Sequence, residues 1–489
     1  MVVFSNPSQP SDTYEMHPAT PSSPEHRSLL RDDDLHEGTD AADAKGLRNL
    51  MLKLGASFFL FGLINNVLYV IILSAALDLV PPSTPKGIIA FCNIAPALVA
   101  KVGWPYILKG RIRYAKRLVG CCLLSAFGML IVAFFDSLFM RLLGIGIASF
   151  SSGLGELTFL QLSTTYAPPS VAGHSVGYFS SGTGAAGLVG AFLWWEVRGL
   201  GVRVGVGLSS FMPFIIPLTY YFLLPPASTF LANYDDPPSA ANVPYTAIPG
   251  EEDLPGEEEG SSRPGLKASV ALSAQDKWRL VRPLLVRYML PLFCVYLFEY
   301  TINQGIAPTL LYPVPSPQEH AFLSKIIHSV RDYYPLWQLV YQTTVFLSRS
   351  SISIGIPPLP MRLLSLPAII QAVILVTLAV ESAVGIFPSD LDEAWSIVTV
   401  FLLISLEGIC GGSAYVNVFY RINQDQTTPS PHATAHDIER TRQEREFKIG
   451  SVGFADSSGI LFASLVAVPM EVFLCKSQVA RGKMLCKGL

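Results

Sequence analysis

Apolar residues run through this chain in long blocks. Each is close to the roughly 20 residues that a helix needs to cross the hydrocarbon core of a bilayer. Eleven blocks are found, at residues 54–79, 88–108, 118–135, 138–162, 174–196, 204–224, 283–311, 333–348, 363–387, 395–419 and 449–474. The eighth is the most diluted, by Gln338, Gln342 and the adjacent Arg349. Polar, Pro-rich stretches precede the first block and separate the sixth from the seventh. The pattern predicts a disordered acidic cytosolic tail over 1–50, a six-helix bundle over 51–224 and a disordered acidic cytosolic loop over 225–282. A five-helix bundle over 283–475 and a short basic tail over 476–489 follow. No signal peptide is expected, because the first apolar stretch starts near Leu54 behind Ser, Pro and Asp. Val2 stands where myristoylation requires glycine.

The two sets of blocks echo each other. Ser175-Val176-Gly177-Tyr178 in the fifth answers Ser451-Val452-Gly453-Phe454 in the eleventh, and both continue into Ser/Gly-rich helix. Gly153-Leu154-Gly155-Glu156 in the fourth answers Glu407-Gly408-Ile409-Cys410-Gly411-Gly412 in the tenth. Asn65-Asn66 in the first answers Asn303-Gln304 in the seventh. Three pairs at one offset of six helices suggest a duplicated six-helix unit lacking its last helix. Such parallel repeats, related about the membrane normal, build major-facilitator transporters. The fold class expected is therefore an all-α polytopic membrane protein of about eleven spans in a major-facilitator-like 6+5 arrangement.

Composition strengthens this reading. Half of the 489 residues are hydrophobic and only 15% are charged, against about 25% in an ordinary soluble domain. Residues 1–48 carry a net charge of −5 and residues 225–276 carry −7, which leaves +9 for the apolar body. A soluble globular enzyme, a disulfide-stapled secreted domain and a nucleic-acid binder are excluded. With the N-terminus cytosolic, Lys109, Arg111, Arg113, Lys116 and Arg117 fall in a cytosolic loop, as do Arg440, Arg442, Arg445 and Lys448. The C-terminal tail, with Lys476, Arg481, Lys483 and Lys487, breaks the rule, because an odd helix count places it outside. The seven cysteines suggest no framework: no CxxC spacing or Cys/His cluster occurs, so neither a metal nor a cofactor is expected.

Two motif matches lead nowhere. Gly182-Thr183-Gly184-Ala185-Ala186-Gly187 fits a dinucleotide fingerprint, but no strand precedes it; small residues so spaced let membrane helices approach closely. Gly173-His174-Ser175-Val176-Gly177 fits a nucleophile elbow, but it leads from a Pro-Pro loop into a helix and the later histidines lie in loops. No enzyme is expected.

Ionisable residues inside apolar helices carry more weight, since a charge at the bilayer centre costs about 2.5–3.5 kcal/mol on insertion scales. They are Lys101, Glu156, Glu299, Glu407 and Asp456. One cation cannot neutralise four acids. Either Lys101 pairs with one acid as a strut while the others are wet, or a polar cavity between the halves uses them for a substrate or a coupled proton. Glu196, Glu381 and Glu471 sit near segment ends and are expected at solvated edges. Tyr296, Glu299, Tyr300 and Asn303 recur at helical spacing and share one face, with Gln304 beside them. That face is the first candidate site.

These stretches together resemble the battenin family, lysosomal and vacuolar membrane proteins linked to juvenile neuronal ceroid lipofuscinosis. The likeness rests on Gly62-Leu63-Ile64-Asn65-Asn66-Val67-Leu68-Tyr69-Val70-Ile71, Ser151-Ser152-Gly153-Leu154-Gly155-Glu156 and Phe298-Glu299-Tyr300-Thr301-Ile302-Asn303-Gln304-Gly305. It continues through Tyr341-Gln342, Ser348-Arg349-Ser350-Ser351, and Glu407-Gly408 with Gly411-Gly412. It covers nearly all of 54–475, and the Pro-rich acidic tails look like those of a fungal member. The resemblance implies a transporter-like fold in the vacuolar or late-endosomal membrane. Fungal members are associated with vacuolar pH homeostasis and basic amino-acid transport into the vacuole, animal relatives with glycerophosphodiester export. It also gives weight to Glu299 and Arg349. The N-glycans of animal members do not transfer, because no sequon has a permitted middle residue.

Two short signals fit that compartment: Glu25 with Leu29 and Leu30 in acidic-dileucine form, and Tyr245 with Ile248 in tyrosine-based form. Cys486-Lys487-Gly488-Leu489 places a cysteine as in a prenylation box, but Lys and Gly are poor at its aliphatic positions. The expected partners are a small-molecule solute with proton coupling, the lipid bilayer and sorting adaptors, with no nucleic acid. The expected location is the vacuole membrane, with Golgi and endosome in transit. A non-transporting trafficking scaffold is the alternative from another class.

Overall fold

The computed structural model describes residues 24–75, 86–107, 112–197, 200–232, 272–315, 323–387, 393–424 and 435–488. All regular structure among the described residues is helical. The helices are α1 (Pro24–Ser74), α2 (Lys86–Ile107), α3 (Tyr114–Phe134), α4 (Leu138–Ser163), α5 (Pro169–Val197) and α6 (Val202–Ser209). Short helical turns carry α6 on to Leu223. After the undescribed stretch come α7 (Ala274–Leu284), α8 (Leu290–Thr301), α9 (Tyr333–Arg349), α10 (Leu366–Val384), α11 (Glu393–Gln424) and α12 (Ala435–Ala480). The described part of every expected block is mainly helical, the form in which a backbone can satisfy its own polar groups in lipid. The chain is an all-α polytopic membrane protein.

Of the eleven expected spans, eight are matched among the described residues by length and composition. The blocks at 88–108, 174–196 and 333–348 fall short of that measure. In the first, the residues whose side chains are described, Phe91–Trp104, form a shorter apolar stretch within the 22-residue α2; α5 is diluted by glycine and serine, and α9 has 17 residues with two glutamines.

Local chemistry sets the ends. Ser273 and Asp276 form a capping box that starts α7 at Ala274, ahead of the expected 283. Pro367 occupies the first turn of α10, and Gly385 ends it at φ +72, donating its N–H to the Glu381 carbonyl over 2.8 Å. α1 is already helical at Pro24, inside the segment expected to be a disordered tail. Glu25, Leu29 and Leu30 lie there, but their side chains are outside the described residues, as are Tyr245 and Ile248 altogether.

Two expectations are corrected. Glu381 is no solvated edge: it is 4% exposed, accepting from the Tyr312 hydroxyl at 3.1 Å and the Phe387 N–H at 2.8 Å. The reversal at Gly385 folds Phe387 back over its carboxylate. The cysteines do make one bridge, Cys475–Cys486. Gly482, at φ +91, turns the chain beyond α12, and the helical turn Met484–Gly488 lays Cys486 beside that helix.

Within the first set α4 packs on α2 and α3; within the second α11 packs on α9, and α8 on α12. The sets meet where α12 lies against α2, and where α9 and α11 lie against α5. Each set has its own core, one around Ile71, Met129, Val132 and Trp194, the other around Trp337, Tyr333, Leu378 and Ile404. The small residues of the false dinucleotide motif have a packing role. A Cβ on Gly182 would overlap the Phe59 carbonyl oxygen and sit 2.9 Å from the Leu63 nitrogen. Gly62 meets Phe179 on α5 in the same way. Gly182→Val is therefore expected to cost at least about 1–3 kcal/mol, the usual penalty of overpacking. Thermal unfolding in detergent would show it, with Gly453→Ala, whose Cβ meets nothing within 4 Å, as the silent control. An unchanged Gly182→Val midpoint would refute the close approach of α1 and α5.

Candidate transport cavity

Between the two sets lies a cavity. α1 contributes Asn66 and Tyr69, α2 contributes Asn93 and Lys101, α4 Glu156, and α5 Thr183. The second set contributes Tyr296 and Tyr300 from α8, Tyr341, Gln342 and Arg349 from α9, Tyr415 from α11, and Asp456 from α12. A membrane interior tolerates such groups where they line a cavity and pair.

One cluster joins the halves. Lys101 Nζ lies 2.8 Å from Glu156 Oε2 and 3.1 Å from Asp456 Oδ2, so it pairs with two acids rather than one. The other oxygen of Glu156 accepts from the Tyr415 hydroxyl at 2.8 Å. Asp456 Oδ1 accepts from the Ser457 N–H at 2.6 Å. Lys101 and Asp456 are each 4% exposed.

A second cluster centres on Arg349. Its guanidinium donates to Thr183 Oγ1 at 2.7 Å and to the Tyr296 hydroxyl at 2.8 Å. It also lies 4.5 Å from the centre of the Tyr415 ring. Its Nε is buried without a hydrogen-bond partner, and no carboxylate lies within ion-pair distance among the described residues. Arg349 is thus held by neutral groups, with donor capacity to spare. The cavity lining balances two cations against two carboxylates, but unevenly: both acids are taken by Lys101.

Glu299 and Glu407 stand behind the wall, both fully buried. Glu299 Oε1 accepts from the Tyr341 hydroxyl, while its Oε2 has no partner. Glu407 Oε1 accepts from Asn303 Nδ2 at 2.8 Å, and its Oε2 likewise has none. Asn303 Oδ1 receives Gln338 Nε2 at 3.0 Å. The expected face on α8 therefore divides: Tyr296 and Tyr300 face the cavity, whereas Glu299 and Asn303 meet α9 and α11. Gln304 lies apart, accepting from Ser464 at 3.3 Å. Ser175 donates to the Val171 carbonyl at 3.1 Å, an ordinary helix back-bond rather than a nucleophile's arrangement. Among the described residues no three His, Cys, Asp or Glu converge as metal ligands.

Sequence reasoning missed Tyr415 and Thr183. Tyr415 was accessible through periodicity, because Glu407, Gly411 and Tyr415 recur every four residues along one helix face. Thr183 sits inside the motif that explains helix packing, and nothing separated its second contact.

Known proteins resemble this chain over most of its length. The profile described as CLN3 protein matches residues 56–477. Protein BTN1 of Cryptococcus neoformans var. neoformans serotype D (strain B-3501A) is 46% identical, over 91% of this chain and 97% of its own length. Protein BTN1 of Mycosarcoma maydis is 46% identical over 89% of this chain and 88% of its own. Protein btn1 of Schizosaccharomyces pombe is 38% identical over 89% and 97%. Among solved structures, the human organic anion transporter MFSD10 aligns over 89% of this chain and 99% of its own, at TM-score 0.49 and 12% identity. With the profile spanning nearly the whole helical body and close identity to curated fungal relatives, this chain belongs to the CLN3 protein family, the battenins.

Proposed function

We propose that this protein is a solute transporter of the vacuolar membrane, working by alternating access at the cavity between its two helix sets. The observation that carries the reading is the Lys101–Glu156–Asp456 cluster, in which one buried ammonium is held by a carboxylate from each set. A solute bearing a cation can compete with Lys101 for those carboxylates and so loosen one set from the other. A ligand shifts a two-state equilibrium by such differential contacts. The substrate class this favours is the basic amino acids, with arginine carried into the vacuole and an effect on luminal pH. The carboxylate of an amino acid would meet Arg349 while its cationic end meets Glu156 and Asp456.

A second reading rests on Arg349 alone. An arginine without a carboxylate partner is suited to a bidentate phosphodiester, which supports glycerophosphodiester export. Purified protein in proteoliposomes, offered arginine and a glycerophosphodiester with and without a pH gradient, separates the two. Saturable arginine movement is the expected result, and movement of only the phosphodiester would replace the first reading by the second. If folded protein moved neither, the trafficking scaffold, acting through the tails and the 225–282 loop with sorting adaptors, would take their place.

A further inference from the structure

Glu299 differs from the cavity carboxylates in having no cation within ion-pair distance among the described residues. It is fully buried, and Gly411 on α11 gives it room: a Cβ there would fall 2.6 Å from Glu299 Cδ. A bare carboxylate in such a place, with one oxygen unpartnered, costs several kcal/mol, and a proton is the counter-charge that removes most of the cost. Its route to water is specific. Tyr341 lines the cavity, and its hydroxyl bonds to Glu299 Oε1.

Resting on the transport reading above, we propose that Glu299 holds the coupling proton and that Tyr341 is the positioning residue through which it exchanges with the cavity. In one direction Tyr341 gives its hydroxyl proton to the Glu299 carboxylate and takes one from hydronium in the cavity, leaving water. The hydroxyl is neutral before and after, and one proton has moved. The charged or titratable groups that act on Glu299 come from each element packed around it. Arg349 and Tyr341 lie on α9, Glu407 and Cys410 on α11, Tyr296 and Tyr300 on its own helix, and α10 offers the neutral Gln371. A sodium ion fits less well, since it needs several converging oxygens, whereas Glu299 Oε1 is occupied by a donor and its other oxygen faces the Gly411 backbone.

Infrared difference spectra of the purified full chain, stepped in pH, read the site without any solute. A failure here is therefore distinct from a failure of flux. The wild type should show a carboxylic-acid C=O band that Glu299→Gln removes and Glu407→Gln leaves in place. Tyr341→Phe should keep the band but slow its response to a pH jump about tenfold or more, within the range of a lost proton relay. Thermal unfolding of each variant checks that the fold is kept. An unchanged spectrum in folded Glu299→Gln would overturn the proposal. So would Tyr341→Phe responding as fast as the wild type, or sodium abolishing the band at constant pH.

Discussion

Lys101→Met is expected to lower the stability of the purified protein by about 3–5 kcal/mol, the usual penalty for removing one partner of a buried ion pair, and to abolish solute flux. Methionine keeps the length and the apolar stem of the side chain, so only the ammonium is lost. What remains is Glu156 beside Asp456, each with a hydroxyl or N–H partner but neither with a cation. Both carboxylates would then have to take protons or water inside the helix interface. Removing one of the two charges as well should recover part of the loss. Lys101→Met/Asp456→Asn is therefore expected to unfold at a higher temperature than Lys101→Met alone, a coupling that a double-mutant cycle measures. Flux should not return in the double variant, because Asp456 is also the α12 anchor that ties the second set to α2. If the single variant unfolded like the wild type, the cluster would be wet rather than buried, and the competition proposed for the substrate would have no basis.

The fold was largely legible because lipid imposes a coarse rule on sequence. A spanning segment must be apolar for most of its length, and the described part of each expected block is mainly helical. The rule blurs where helices face one another instead of lipid. α5 can be rich in glycine and serine because Gly182 and Gly62 press it against α1, so its hydropathy drops for the same reason that it packs well. The site was legible as a set of residue types and not as a set of pairs. Lys101 and Asp456 are 355 positions apart, and no local pattern says which acid a lysine will meet. Glu381 shows the same gap at short range. Its partners Tyr312 and Phe387 arrive through a distant turn and a left-handed glycine, neither of which periodicity describes. The residues Tyr296, Glu299, Tyr300 and Asn303 are expected to share one face. Its division between the cavity and α11 came from the neighbours of α8, which one helix's sequence does not contain.

Arg349→Gln is expected to leave the fold nearly intact and to weaken transport of an anion-bearing solute severely. Arg349 is held by Thr183, Tyr296 and the Tyr415 ring, all neutral, so its removal breaks no direct ion pair. The thermal midpoint should move far less than in Lys101→Met. Binding should suffer more. A solute carboxylate or phosphodiester deprived of a desolvated guanidinium loses about 2–5 kcal/mol, the usual penalty for truncating a buried charged partner, which corresponds to about thirtyfold or more in affinity. The loss should fall on KM, with the maximal rate changed less, if Arg349 holds the anion equally throughout the cycle. Arg349→Lys tests geometry against charge. An ammonium restores the sign but cannot reach Thr183 and Tyr296 together while lying flat on Tyr415, so it should recover only part of the affinity. Measured initial rates across solute concentration in proteoliposomes decide it. Equal KM values for wild type and Arg349→Gln, for arginine and for a glycerophosphodiester alike, would show that the unpaired guanidinium serves helix packing and that the anion is held elsewhere.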